Sequence, residues 1–219
     1  MPDLSSVPVA AAILVGILAL IWFATGTQWN VRRGHRVLQW IQPGLPHLAE
    51  RTTLRWLGSS VVEMHMSNAK PPFREATLLL VMEPRDIPFL WAWSRLRGRR
   101  DLLILRGRLR QPPRYQMELL DAQSWSGREA LRSIDRSAWL QAETPPAGLT
   151  LLHASNTDPA LAGDLFRRLE QISPYTARLS VQRQPPHFQA YVGLPNFAQV
   201  SGKQFVDVMR RIGADLSTD

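Results

Sequence analysis

The side chains able to do chemistry are few and scattered. Five histidines stand at His35, His47, His65, His153 and His187. No two lie four residues apart, and neither HExxH nor HxH occurs, so a zinc or di-iron centre has no local signature. The absence of cysteine excludes a thiolate metal site, a disulfide scaffold, a lipidated N-terminal cysteine and a cysteine nucleophile. Neither GxGxxG nor GxSxG is present, which leaves nucleotide cofactors and hydrolase elbows unsupported. Ser201-Gly202-Lys203 matches the end of a phosphate loop, but Phe197 stands where that loop needs glycine. Glu83 and Asp86 are neighbouring carboxylates, and a strand end and a helix cap account for them. His153 falls in an apolar run and reads as a core histidine. The expectation is a non-enzymatic protein with no metal and no cofactor. The alternative is a membrane-tethered enzyme whose site is too dispersed to see.

Charge is the feature that departs from the ordinary. The chain has 219 residues and a net charge of +8, from 26 basic against 18 acidic side chains. All of that excess lies in residues 1–140, while residues 141–219 are balanced. Residues 85–114 hold nine Arg against only Asp86 and Asp101. The same stretch carries Phe89, Leu90, Trp91 and Trp93. Trp91, Trp93, Arg95, Arg97, Arg99 and Arg100 are therefore the candidate contact residues. Anionic lipid headgroups would attract such Arg at about 1 kcal/mol each, with Trp settling at the interface. A protein of a membrane complex would suit them too, because Trp and Arg are enriched at interface hot spots. Nucleic acid is the least favoured partner. Against all three stands a plain structural reading, with Trp91 and Trp93 in the core and the Arg face merely solvated.

These residues need elements to hold them, and the first is an apolar helix. No charged residue occurs from Leu4 to Val31. Residues 7–26 are the apolar part, and at about 1.5 Å per residue they match a hydrocarbon core ~30 Å thick. Trp22 and Trp29 sit where an interfacial aromatic belt belongs. A cleaved signal peptide is the rival, but it needs a basic leader, and Asp3 is the only charged side chain before the span. Ala12 and Gly16 form one small-xxx-small pair, which ordinary lipid-facing residues also explain. Arg32, Arg33 and Arg36 follow the span. The positive-inside rule then puts the N-terminus outside and the C-terminal domain in the cytoplasm of a single-pass protein.

The remainder reads as α+β: a mostly antiparallel sheet built from two β-α-β-β-α repeats plus one extra strand. Residues 110–116 (RQPPRYQ) and 183–189 (RQPPHFQ) match at a shift of 73, as do Thr77-Leu78-Leu79 with Thr150-Leu151-Leu152 and Trp93 with Phe166. Repeat units 76–139 and 149–214 follow. Each Pro-Pro pair should lie in a connection, since proline cannot donate to a ladder. Asp158-Pro159 predicts a helix start, and Ser126 and Ser201 are the predicted caps of the closing helices. Residues 54–67 supply the extra strand, and helices are expected on one face of the sheet. The domains are 1–30, an N-terminal segment with the membrane helix; 31–53, an amphipathic connector with Val37, Leu38, Trp40 and Ile41 on its apolar side; and 54–219, the α+β domain. The functional expectation is a membrane-anchored interaction or accessory module with a basic, Trp-bearing cytoplasmic surface.

Overall fold

The computed structural model describes residues 7–217 other than 136, 138 and 144. Helix α1 runs unbroken over Val7–Ile41. Its first half is Ala-, Leu- and Ile-rich, exposed at every residue from 8 to 25, and long and apolar enough to cross a membrane. Its second half changes character. Gly26, Asn30, Gly34, Val37 and Ile41 are buried. Their spacing of three or four residues makes one stripe of the helix, which packs on the domain. Leu38 and Trp40 pack partly buried against the same core.

After α2 (Leu45–Leu48) come β1 (Ala49–Leu57), β2 (Val61–Ala69), β3 (Phe73–Val81), α3 (Pro88–Leu96), β4 (Leu102–Leu109), β5 (Met117–Leu120) and α4 (Trp125–Ser133). Then follow β6 (Leu140–Gln141), β7 (Thr150–His153), α5 (Pro159–Glu170), β8 (Thr176–Val181), β9 (Phe188–Gly193) and α6 (Gly202–Ser217). The nine strands form one open antiparallel sheet in the order β1-β2-β3-β4-β9-β8-β5-β7-β6. Alternation along the strands gives the sheet a thick apolar face. Met64, Leu78, Leu105, Ala190 and Leu179 lie on it, beneath Val37 and Ile41 of α1, Leu165 and Leu169 of α5, and Phe205, Met209 and Ile212 of α6. The opposite face is thinner. Its far end carries a small core, in which Leu120, Ala130 and Leu152 gather with Leu131, Ile134 and Trp139.

Several local rules hold. The Pro-Pro pairs all fall between strands or before a turn, and Asp158 Oδ1 caps α5 by accepting from Ala160 N–H at 2.9 Å. Ser201 Oγ accepts from Gln204 N–H at 3.1 Å, as a cap should. His153 is buried, with Nδ1 3.0 Å from the Ala154 carbonyl.

Other expectations are corrected. Residues 54–67 are not one strand; Gly58, at φ +72°, turns the chain between β1 and β2, and the two pair as a hairpin. The helices are not all on one face, because α4 sits opposite α5 and α6. Ser124, not Ser126, caps α4, with its Oγ accepting from Gly127 N–H at 2.9 Å. Asp86 does not cap α3; it accepts from Ser59 Oγ at 2.7 Å. The order β-α-β-β-α does recur over the two segments, but the pairing differs. β3 and β4 are antiparallel neighbours, whereas β7 and β8 flank β5 and so run parallel to each other.

Candidate functional site

The site grows from the place where α1 leaves its apolar half and meets the domain. Gly26 touches the backbone of residues 85–86 so closely that an added Cβ would lie 2.2 Å from the Arg85 carbonyl oxygen. One turn earlier, Trp22 Nε1 donates to that same carbonyl at 3.0 Å. One turn later, Asn30, fully buried, donates to the Glu83 carbonyl at 3.0 Å and to Ser60 Oγ at 3.1 Å. The 83–86 segment is thus fastened to three successive turns of the helix, and it delivers α3 beside Trp22.

A charge cluster locks the joint. Glu83 and Asp101 are 2% and 7% exposed. Arg85 donates to Asp101 through both terminal nitrogens, at 3.1 and 3.0 Å, and to Asn30 Oδ1 at 3.0 Å. Arg33 of α1 also pairs with Asp101. Asp101 Oδ1 accepts from the Glu83 backbone N–H at 2.8 Å. The Glu83 carboxylate accepts from Trp91 Nε1 at 2.7 Å and from Arg95 at 3.1 and 3.2 Å. Two buried carboxylates are therefore met by three guanidiniums and an indole. Such a cluster persists only if nearly every donor and acceptor is matched, because an unpaired buried charge is costly.

The six residues singled out by the sequence divide into two sets. Trp91 and Arg95 face inward: the Trp91 ring lies 6.3 Å from Trp22, and the Arg95 guanidinium lies 5.8 Å from the Trp91 ring centre. Trp93, Arg97, Arg99 and Arg100 lie on the outer side. Trp93 is 46% exposed, with the Arg97 guanidinium 4.0 Å above its ring. Arg100 donates to the carbonyls of Arg95 and Arg99 at 3.0 and 2.8 Å. Arg99 has no side-chain partner among the described residues.

Sequence reasoning named Phe89 and Trp93 in this segment but missed Ile87 and Leu96. Ile87, Phe89 and Leu96 are 36%, 76% and 88% exposed. With Trp93 they make an apolar ridge along α3 and its N-cap, with the Arg97 guanidinium over the Trp93 ring. Between α3 and α1 runs a groove of about 500 Å³ lined by Trp22, Gly26, Trp29 and Trp91, with Arg85 and Arg95 at its edge. An amphipathic pattern in Ile87–Leu96 was available as a signal. The missing information was that Phe89 and Leu96 stay exposed in the fold while Trp93 packs against Trp125 of α4. Gly26, Asn30 and Gly34 were also readable as small or polar positions at helical spacing.

On the second sheet face a separate buried charge is fully matched. Glu118 accepts from Arg178 at 2.9 and 3.0 Å, from Gln182 at 2.8 Å and from Ser180. Among the described residues no three His, Asp or Glu side chains gather in a way that could hold a metal ion. No protein-family model matches the chain, and no curated protein matches it.

Proposed function

We propose that the chain is a non-enzymatic, single-pass membrane-anchored interaction module whose domain is held flat against the bilayer by α3. The observation that carries this reading is the exposed ridge of Ile87, Phe89, Trp93 and Leu96, docked at the level where the apolar half of α1 ends. Apolar side chains framed by Arg suit the boundary between acyl chains and anionic headgroups. Residues 7–26 cross the membrane. Arg32, Arg33 and Arg36 follow the span and residues 4–31 carry no charge, so the domain lies on the cytoplasmic side. The rigid joint at Gly26, Asn30 and Asp101 supports the reading, because it fixes the height of α3 relative to the span. The two-unit origin of 76–139 and 149–214 is kept as a proposal about ancestry; the recurrent element order supports it and the unlike pairing weighs against it.

The test uses the full chain in nanodiscs of zwitterionic lipid alone or mixed with anionic lipid. Amides of 87–100 should exchange more slowly when anionic lipid is present, and the paired substitutions Phe89→Asp and Leu96→Asp should abolish the difference. Both side chains are largely exposed, so each change should move stability by no more than about 0.5 kcal/mol. Exchange that ignores lipid composition and the substitutions would sink the proposal. A second reading, a protein partner, is favoured by β1, an edge strand exposed along residues 50–55 with no neighbour on its outer side among the described residues. Slow exchange confined to 49–57 and seen only in native membranes would favour it.

A further inference from the structure

A cavity of about 320 Å³ lies on the second face of the sheet, between the first turn of α4 and the loop 98–100. It is separate from the ion cluster at the joint. Its floor is apolar, formed by Val81, Leu102, Ile104 and Ala177. Its mouth is cationic, with Arg99 and Arg100 on one side. Arg178 also lines it, but its guanidinium is already paired with Glu118. Glu129 stands on the wall and is exposed to water.

Two groups in this cavity lack the acceptor or donor that their chemistry requires. Ser126 Oγ is buried and has no hydrogen-bond partner among the described residues. A hydroxyl withdrawn from water without a partner is costly, and such atoms are rare in native proteins. Arg99 carries five N–H donors, and its guanidinium has no hydrogen bond or ion pair among the described residues. Arg99 and Ser126 both line the same space, and a turn about χ1 would bring the covered Ser126 hydroxyl into it. Ser124 and Ser126, in the first turn of α4, bring the positive end of that helix to the cavity as well. An unmatched guanidinium and an unmatched hydroxyl beside an apolar floor define a ligand with an anionic head and a small apolar body. Fork-shaped donors and a helix N-terminus suit a phosphate oxygen set. The volume falls at the lower end of the range for ligand pockets, ~300–1,000 Å³.

We infer that this cavity binds a phosphate ester with a small apolar body, its phosphate held by Arg99 and the Ser126 hydroxyl and its body on the Val81–Ile104 floor. The loop 98–100 directly follows α3, so the ester is either a lipid headgroup reaching up from the bilayer or a soluble phosphomonoester. The site shares Arg99 with the surface proposed to meet the membrane, but its floor on the sheet and its wall on α4 do not belong to that surface.

The test measures hydrogen exchange at 124–130 in the full chain, outside the 87–100 stretch that membrane contact alone would protect. In one arm, detergent-solubilised protein is titrated with phenyl phosphate. In the other, the protein is placed in nanodiscs containing phosphatidic acid or only phosphatidylcholine. Protection by phenyl phosphate identifies a soluble ester; protection only by phosphatidic acid identifies a headgroup; either result supports the site. Arg99→Gln should weaken the effective arm by about tenfold or more, as expected for a charge-assisted bond to phosphate. Ser126→Ala should weaken it several-fold, and Lys203→Gln, at an exposed cation on α6 away from the cavity and from α3, should leave it unchanged. No protection of 124–130 in either arm overturns the proposal, as does an equal loss with Lys203→Gln. Because Phe89→Asp and Leu96→Asp leave this cavity intact, loss of membrane contact and loss of ester binding are separable results.

Discussion

Arg95 and Arg97 are two residues apart and look alike in sequence, yet they do opposite things. Arg95 completes the shell of a carboxylate that is 2% exposed, while Arg97 lies over the exposed Trp93 ring. Reversing Arg95 to Glu sets a new carboxylate against Glu83 and leaves the older one short of a partner. Breaking a buried pair in this way costs about 3–5 kcal/mol; half of the Arg95 side chain is exposed, so the lower end of that range is expected. Arg97→Glu should change stability by no more than about 0.5 kcal/mol. Denaturant unfolding of the two variants in the same detergent checks the contrast. His187 supplies a second prediction at this scale. Burial holds its imidazole below the usual range, and the nearby Arg108 charge acts in the same sense. Its Nδ1 accepts from Leu109 N–H at 3.1 Å, which requires that nitrogen to be unprotonated. The unfolded chain takes up this proton near pH 6.5 and the folded chain only at lower pH, so the unfolded state binds more protons in between. Stability should be flat above about pH 6.5 and fall as the pH drops below it. Melting curves between pH 7.5 and 5 should show this slope, and His187→Asn should flatten it.

At the scale of elements, the joint between α1 and the domain depends on two glycines that fill no space. An added Cβ at Gly26 would meet the Arg85 carbonyl at 2.2 Å, and one at Gly34 would meet the Trp56 ring at 2.5 Å. The first neighbour is backbone and cannot swing aside. Gly26→Ala should therefore push α1 off the 83–86 segment at a cost of about 1–3 kcal/mol, as overpacking does. Gly16→Ala, with nothing within 4 Å of the added carbon, should be neutral or slightly favourable. Thermal melts of both variants give the comparison. Elements with strong internal period are legible in the amino-acid sequence alone: the apolar half of α1, the alternation of β4, and the stripe of Phe205, Val208, Met209 and Ile212 on α6. The joint is not legible there. Asn30, Glu83 and Asp101 come from three parts of the chain, and each is an ordinary polar residue until the fold brings them together. The β1–β2 turn at Gly58 has a local signal, but the apolar residues on both sides of it read as one run. Pairing is hidden for a similar reason. Two Gln-Pro-Pro turns say that strands meet a connection; they do not say which strand comes next to β4.

At the scale of the molecule, the long helix and the sheet domain join through one fastened seam, and charge and apolar surface converge at that seam. Part of the basic excess in the first 140 positions is neutralised there, with Arg33, Arg85 and Arg95 matched to Glu83 and Asp101. What remains outward there is Arg97, just past the end of α3, beside Phe89, Trp93 and Leu96. The central claim is that this ridge touches lipid. The most direct measurement places a single cysteine at Phe89 or Leu96 of the cysteine-free chain, labels it with a polarity-sensitive fluorophore, and reconstitutes the full protein in vesicles. The account predicts a blue-shifted emission that is quenched by spin-labelled lipid and shielded from aqueous iodide, matching a label at Trp29. A label at Phe89 or Leu96 that emits as in water and is quenched freely by iodide, while the Trp29 label is shielded, would contradict it.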